Sequence, residues 1–100
     1  MTAAGDFRVD IEATPATHVV RLCGDLDAAS VALLMQSVGQ VEVERLELDL
    51  SGLTFLDAAG LGAIVTIRKQ VQASGVSVDI VRVQARHARL FLISGLASLI

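Results

Sequence analysis

Apolar and polar residues alternate along four stretches of the chain, which is the pattern of half-buried β-strands. The clearest stretch spans residues 46–50, where Leu46, Leu48 and Leu50 enclose two carboxylates, and we expect this strand at the centre of the sheet. A break around Pro15 separates the first two strands, so a hairpin is expected to connect them. The remaining predicted strands span residues 7–11, 19–23 and 76–81.

Other stretches carry apolar residues at three- and four-residue spacing, which predicts amphipathic helices. The first helix follows Asp27, a candidate N-cap, and the second begins at Asp57. The third covers residues 85–93, and a glycine suited to a left-handed helix end follows each of the last two, at Gly75 and Gly95. The predicted buried stripes of the first two helices are Val31, Leu34, Met35, Val38 and Val41, and then Leu61, Ile64, Val65, the stem of Arg68, and Val71.

The predicted order of elements is β-β-α-β-α-β-α, with residues 51–56 as a connection before the second helix. Crossovers between parallel strands are right-handed, so a hairpin followed by βαβ units gives a mixed sheet packed against helices. We therefore expect an α/β fold in which residues 7–100 form a single domain and residues 1–6 form a flexible tail.

Composition narrows the function. Apolar residues make up 53% of the chain and charged residues 19%, which suits one packed core, and the net charge of −3 argues against nucleic acid as a partner. No uncharged segment reaches the about 20 residues that span a bilayer, so no membrane insertion is expected. The N-terminus lacks the pattern of a signal peptide, and Cys23 has no second cysteine to pair with, so we expect a cytoplasmic protein.

The residue types needed for catalysis are sparse. The histidines are His18 and His87, and neither has a partner at the spacing of a metal site or a catalytic base. Cys23 lies within a predicted apolar strand and is interpreted as an inert core thiol. Gly60 and Gly62 lack the lysine and the third glycine that nucleotide-binding loops require. The sequence therefore predicts no enzyme activity, no cofactor and no metal.

The same two glycines lie in the first turns of the second helix, where each costs about 1 kcal/mol relative to alanine. Two explanations are open: another protein's backbone approaches closely here, or the helix packs tightly on its own sheet. Asp57 is placed to accept a hydrogen bond from an amide near Gly60, and Ala58 and Ala59 follow in the first turn, where unpaired amides point outward.

At this point the sequence resembles the STAS domain, and specifically the anti-sigma factor antagonists of bacterial partner-switching systems. The resemblance runs from about residue 9 to residue 100. It rests on residues 22–27 (Leu-Cys-Gly-Asp-Leu-Asp), 48–62 (Leu-Asp-Leu-Ser-Gly-Leu-Thr-Phe-Leu-Asp-Ala-Ala-Gly-Leu-Gly), 89–91 (Arg-Leu-Phe) and 94–96 (Ser-Gly-Leu).

The resemblance implies a mixed sheet backed by helices and a binding function with two outcomes. In such proteins the unmodified domain binds an anti-sigma factor, often a serine kinase, and so frees a sigma factor for transcription, for example in a stress response. Phosphorylation of a serine in the helix-start motif abolishes the binding. A protein of this kind is expected to be a monomer or a weak homodimer.

The site residues follow from the same resemblance. Asp57 matches the aspartate of the motif, Ala58 and Ala59 match its two Ser/Thr positions, and the second of these is the phosphoacceptor. Asp27 matches an acidic residue beside that site. The partner-binding residues implied in this way are Asp25, Asp27, Thr54, Leu56, Asp57, Ala58, Ala59, Gly60, Leu61 and Gly62.

Ala59 departs from the pattern, because it has no hydroxyl and the switch cannot operate there. A phosphate would add nearly two negative charges to this surface, whereas alanine keeps it in the unphosphorylated-like state. Three explanations are open: a natural member without this control, an engineered phosphoablative variant, or control moved to Ser51, Thr54 or another hydroxyl. The hydroxyls of Ser51 and Thr54 are expected to satisfy loop backbone groups instead.

Two other functions compete with the antagonist. One is a subunit of a larger assembly, as in STAS domains of lipid-transport or stress-sensing complexes. The other is a small-molecule or nucleotide-binding STAS module that uses the amide-rich helix start. Arg82, Arg86 and Arg89 form a modest basic strip, interpreted as a solvated face or a second docking surface.

Overall fold

Over residues 6–38 and 42–100, the computed structural model forms a four-stranded mixed sheet with helices, which confirms the predicted α/β class and order of elements. Val41 of the first predicted stripe, and all of the predicted tail except Asp6, lie outside these residues. The elements are β1 (Arg8–Ala13), β2 (Thr17–Leu26), α1 (Val31–Val38), β3 (Arg45–Leu56), α2 (Ala58–Ala73), β4 (Ser77–Val81), α3 (Ala85–Ile93) and a 3₁₀ turn (Ala97–Leu99).

The strands lie in the order β1-β2-β3-β4. β1 and β2 pair antiparallel, as the predicted hairpin requires, and β2, β3 and β4 pair parallel through the crossover helices α1 and α2. Both crossovers advance in the same direction along the sheet. Right-handed connections therefore put α1 and α2 on one face, where the two helices contact each other.

The core lies between this face of the sheet and the helices. Leu46, Leu48 and Leu50 of β3 are fully buried in it, and Phe91 of α3 joins the same cluster. On α2 the buried positions include Ala63 and Ile67, whereas the predicted Val65 and Arg68 are only half-buried. The buried arc is displaced from the predicted stripe because α2 packs against α1 as well as against β3 and β4.

The helix ends follow the predicted chemistry of glycine. Gly75 and Gly95 have φ angles of 87° and 75°, in the left-handed region that glycine adopts without a Cβ clash. At the end of α3, the N–H of Leu96 donates to the carbonyl of Phe91 at 2.7 Å, so the chain folds back over the helix. These contacts direct the last residues of the chain back toward the core.

β3 is much longer than predicted. Residues 51–56, expected as a connection, continue the strand and pair with the end of β2, so that expectation was wrong. The register with β2 shifts between Arg21 and Cys23, and again between Gly24 and Asp25. At both shifts β3 advances by one extra residue, as in a β-bulge, and its buried positions change from a two-residue to a three-residue spacing. Because of this change, residues 51–56 lack the two-residue alternation by which a strand is recognised in a sequence.

The sheet face opposite the core carries a network of charges centred on Asp49. This side chain is 1% exposed, and it accepts hydrogen bonds from Arg21 Nε at 3.1 Å, Arg82 Nε at 2.8 Å and the Ser51 N–H at 2.9 Å. Arg82 also reaches Glu47 at 3.4 Å, so this part of the basic strip balances carboxylates of the sheet. The network ties β2, β3 and the end of β4 together.

The pKa of Asp49 reflects two opposing effects. Burial by itself raises it, but the hydrogen bonds from Ser51, Arg82 and Arg21 outweigh burial and lower the pKa from 3.8 to about 2. A carboxyl group with a lowered pKa in the folded state stabilises the fold wherever it is ionised. Its contribution is complete above the unfolded pKa of 3.8 and is lost as the pH falls towards 2.

We predict that Asp49→Asn lowers the free energy of unfolding at pH 7 by about 2 kcal/mol, because a shift of nearly two pKa units has that value. Urea unfolding of both proteins from pH 7 to pH 2 would measure the effect, and the two stabilities should converge at the acidic end. Asp79→Asn, at an exposed position on β4, is the matched control and should change stability little. Equal effects of the two substitutions would contradict the assignment.

Candidate functional site

The site lies where the parallel strands β2 and β3 end side by side. Asp25 stands opposite Phe55 in the register, and Leu26 stands opposite Leu56. The residues that follow each strand therefore begin at the same edge of the sheet. This brings the turn after β2 beside Asp57 and the start of α2.

Asp27 organises the turn after β2. Its Oδ1 accepts hydrogen bonds from the N–H groups of Ala29 at 3.0 Å and Ser30 at 3.2 Å. The helix α1 begins only at Val31, so Asp27 closes the preceding turn and the expectation that it caps α1 needs correction. The hydroxyl of Ser30 completes the turn by donating to the carbonyl of Asp25 at 2.7 Å. Ser30 is a part of the site that the sequence analysis missed.

Thr54 connects the two strand ends. Its hydroxyl donates to Asp25 Oδ1 at 2.7 Å, and the side chain is exposed. The expectation that this hydroxyl satisfies loop backbone was wrong, because the residue lies in a strand and a register shift in β3 turns it towards β2. Thr54 and Asp25 thus form one polar unit at the edge of the sheet.

The start of α2 has the predicted cap. Asp57 is the N-cap in an extended conformation, and its Oδ1 accepts from the Gly60 N–H at 2.9 Å. The side chains of Ala58 and Ala59 are exposed on the first turn. Their N–H groups have no acceptor within a helix, so this turn presents backbone donors and the positive end of the helix dipole to the surface.

The structure gives Gly60 and Gly62 different roles. A Cβ on Gly60 would lie 2.3 Å from the carbonyl oxygen of Leu26 and 2.9 Å from Leu56, so this glycine lets α2 pack on its own sheet. A Cβ on Gly62 would meet nothing in the described residues within 4 Å beyond its own turn of the helix. Packing within the domain therefore explains Gly60 but does not explain Gly62.

The ten predicted site residues divide by exposure. Leu56, Gly60 and Leu61 are buried and shape the site from within. The surface members are the exposed Thr54, Ala58, Ala59 and Gly62 and the half-buried Asp25, Asp27 and Asp57. Phe55 pairs with the site residue Asp25 and is 45% exposed, and it was not predicted. An unusual apolar spacing, Leu53–Phe55–Leu56, is the sequence signal that identifies it.

The structure also locates two residues that were considered for catalysis, Cys23 and His87. Cys23 is half-buried on the open face of the sheet, with Sγ 3.8 Å from Asp10 Oδ2, so it is not a core thiol. His87 is buried on α3, where burial first and then Arg86 lower its pKa. Over residues 6–38 and 42–100, no group of three His, Cys, Asp or Glu side chains is arranged to hold a metal ion.

Comparison with known proteins identifies the family. A family model for the STAS domain matches residues 8–100. The chain is 27% identical over 97 residues to the anti-sigma-B factor antagonist of Bacillus subtilis (strain 168), covering 95% of this chain and 89% of that protein. The chain therefore belongs to the STAS domain family, as its motifs indicated.

Solved structures agree on the fold. An anti-sigma factor antagonist from Mycobacterium paratuberculosis matches with a TM-score of 0.84 at 22% identity, covering 98% of this chain and 86% of the other. The anti-sigma factor antagonist SpoIIAA in its unphosphorylated form matches with a TM-score of 0.71 at 23% identity, covering 94% and 84%. At these identities the likeness establishes the STAS-like arrangement of sheet and helices.

Among the described residues, no helix combines the length and the apolar character needed to cross a membrane.

We predict opposite effects of alanine at the two glycines. Gly60→Ala should destabilise the fold by about 1–3 kcal/mol, because the clash with the Leu26 carbonyl involves backbone that cannot rotate away. Gly62→Ala should stabilise it by about 0.5–1 kcal/mol, since the site is exposed and alanine favours the helix. Thermal and urea unfolding of the pair would measure both. Destabilisation by Gly62→Ala would show that the isolated domain needs this glycine.

Proposed function

We propose that this chain is an anti-sigma factor antagonist that binds an anti-sigma factor and is not controlled by phosphorylation at Ala59. Membership of the STAS family and the antagonist relatives support the class. The observation that carries the proposal is the exposed turn Ala58–Ala59, which follows the N-cap Asp57 at the sheet edge where the turn of Asp27 also begins. The protein would act in the cytoplasm, by binding the anti-sigma factor rather than by catalysis.

The binding surface would combine three kinds of contact. Phe55 offers apolar area, the first turn of α2 offers N–H donors, and Asp25, Asp27 and Asp57 offer acceptors for basic side chains. A protein partner with an apolar pocket rimmed by arginine or lysine fits this combination. Gly62, with open space above it, would let the partner's backbone approach the second turn of the helix.

Electrostatics explain why Ala59 would hold the surface in a binding-competent state. A phosphoryl group at this position would add nearly two negative charges next to Asp57 and Asp27. A group of this size and charge would occupy the exposed N–H donors at the start of α2. It would also repel the partner oxygens that those donors bind in the unmodified form. The methyl group of Ala59 carries no charge and has no oxygen to receive a phosphoryl group.

We predict that Ala59→Glu weakens binding to the cognate anti-sigma factor by about 2 kcal/mol or more, roughly 30-fold in Kd, because the larger, charged side chain covers the contact surface and competes for the N–H donors of this turn. Isothermal titration against the anti-sigma factors of the same genome would measure it. Gln70→Glu, on an exposed part of α2 further from the site, adds the same charge and should leave affinity unchanged. Failure of the wild-type chain to bind any of these proteins would refute the proposed function.

A second substitution tests the kinase character of the partner. Ala59→Ser restores a hydroxyl at the family's phosphoacceptor position, so a kinase-type anti-sigma factor with ATP should transfer one phosphoryl group to it. Mass spectrometry would detect the modification, and the wild-type chain should stay unmodified under the same conditions. Ala58→Ser is the matched control. Modification of the wild-type chain at Thr54 or Ser51 would show that control has moved there.

We predict that Phe55→Ala lowers affinity for the anti-sigma factor at least about tenfold, as exposed aromatic side chains at the centre of an interface often dominate binding. Ile11→Ala is the matched control, because Ile11 is 49% exposed but lies on β1 opposite Val20, away from this edge of the sheet. Affinity and unfolding would be measured for both variants. An equal loss of affinity in the two would place the interface elsewhere.

A further inference from the structure

β3 extends well beyond the strand that pairs with its outer edge. β4 ends at Val81, whose neighbour Arg82 turns the chain away with a φ angle of 53°, and the last pair in their register is Asp49 with Val81. Among the described residues, the second half of β3 therefore has a strand neighbour, β2, on one side alone. This is the half that carries Thr54 and Phe55.

One side chain takes the place of the missing strand. Gln84 Nε2 donates to the carbonyl oxygen of Ser51 at 3.0 Å and to that of Leu53 at 2.6 Å. Arg86 Nη2 lies 3.4 Å from the same Leu53 carbonyl and adds a weaker contact. Side chains that follow β4 thus donate hydrogen bonds to two successive outward carbonyls of β3. A neighbouring strand at this edge would otherwise supply those donors.

Gln84 makes these contacts at the expense of its own helix. It is the N-cap residue of α3, yet its side chain makes no capping hydrogen bond. Ser, Thr, Asp or Asn at this position would cap the helix and stabilise it. Gln84 is thus an unusual N-cap residue, because its side-chain amide donates to β3 instead of capping α3. This departure from ordinary helix capping indicates a role outside the helix.

We propose that Gln84 is a positioning residue for the partner-binding surface: its amide fixes the outer edge of β3 so that Thr54, Phe55 and Asp57 keep the geometry that the partner recognises. The proposal rests on the function proposed above. Leu53, the second acceptor, directly precedes Thr54 and Phe55 in the chain. Loss of this contact would leave the outer edge at the end of β3 with only the weaker Arg86 contact, and so widen the range of its backbone positions.

The first arm of the test is hydrogen–deuterium exchange on the free protein. Gln84→Glu keeps the shape but cannot donate to the two carbonyls, so exchange of the amides of residues 53–57 should accelerate about tenfold or more. Gln84→Lys retains a donor and should restore much of the protection. Gln70→Glu, an exposed glutamine on α2, repeats the change of charge without the contact and should leave exchange unchanged.

The second arm separates positioning from helix stability. Gln84→Ser supplies a better helix cap while removing the donor, so it should preserve or raise the unfolding temperature and still weaken binding to the anti-sigma factor about tenfold. Unchanged exchange and unchanged affinity in Gln84→Ser and Gln84→Glu would overturn the proposal. If the wild-type chain binds no anti-sigma factor, the proposed function fails, whereas the exchange data on the free protein still decide whether Gln84 holds the end of β3.

Discussion

The parallel pairing of β2 with β3 is the interaction on which the rest of the structure depends. It sets the centre of the sheet, and its first half buries Leu46, Leu48 and Leu50 under the helices. Its second half aligns Asp25 with Phe55 and so brings the turn after β2 beside the start of α2. A change of register by one residue would move the core side chains to the open face and separate the two halves of the site.

The register shifts in β3 let one strand both fill the core and present side chains at the candidate site. A strand with an unbroken two-residue period would continue to direct every second side chain into the core. The extra residues turn Thr54 towards Asp25 and expose Phe55, while Leu53 and Leu56 still reach the interior. Bulges of this kind often lie beside functional sites, because they redirect side chains without ending the pairing. The site is thus built on rigid sheet with a helix start above it.

The charges on the open face and the polar contacts of the site lie on the same strand. Asp49 on β3 binds Arg21 on β2 and Arg82 just after β4. Further along β3, the carbonyls of Ser51 and Leu53 accept from Gln84 at the start of α3. The buried core decides that this strand is central, but these polar contacts decide where its last residues lie. The core and the Asp49 network stabilise the fold, whereas the role proposed for Gln84 concerns the geometry of the last residues of β3.

The sequence by itself determined the order of elements, the class of fold, the cap at Asp57 and the glycine helix ends, because these depend on local periodicity and backbone chemistry. Its motif also placed the chain in its family. The tertiary structure decided what depends on long-range pairing. Residues 51–56 form a strand only because β2 lies beside them, Gly60 is required only because Leu26 lies against it, and Asp27 closes a turn that Ser30 completes. Phe55 and Gln84 lie against neighbours about 30 residues away in sequence, and no local pattern encodes those contacts.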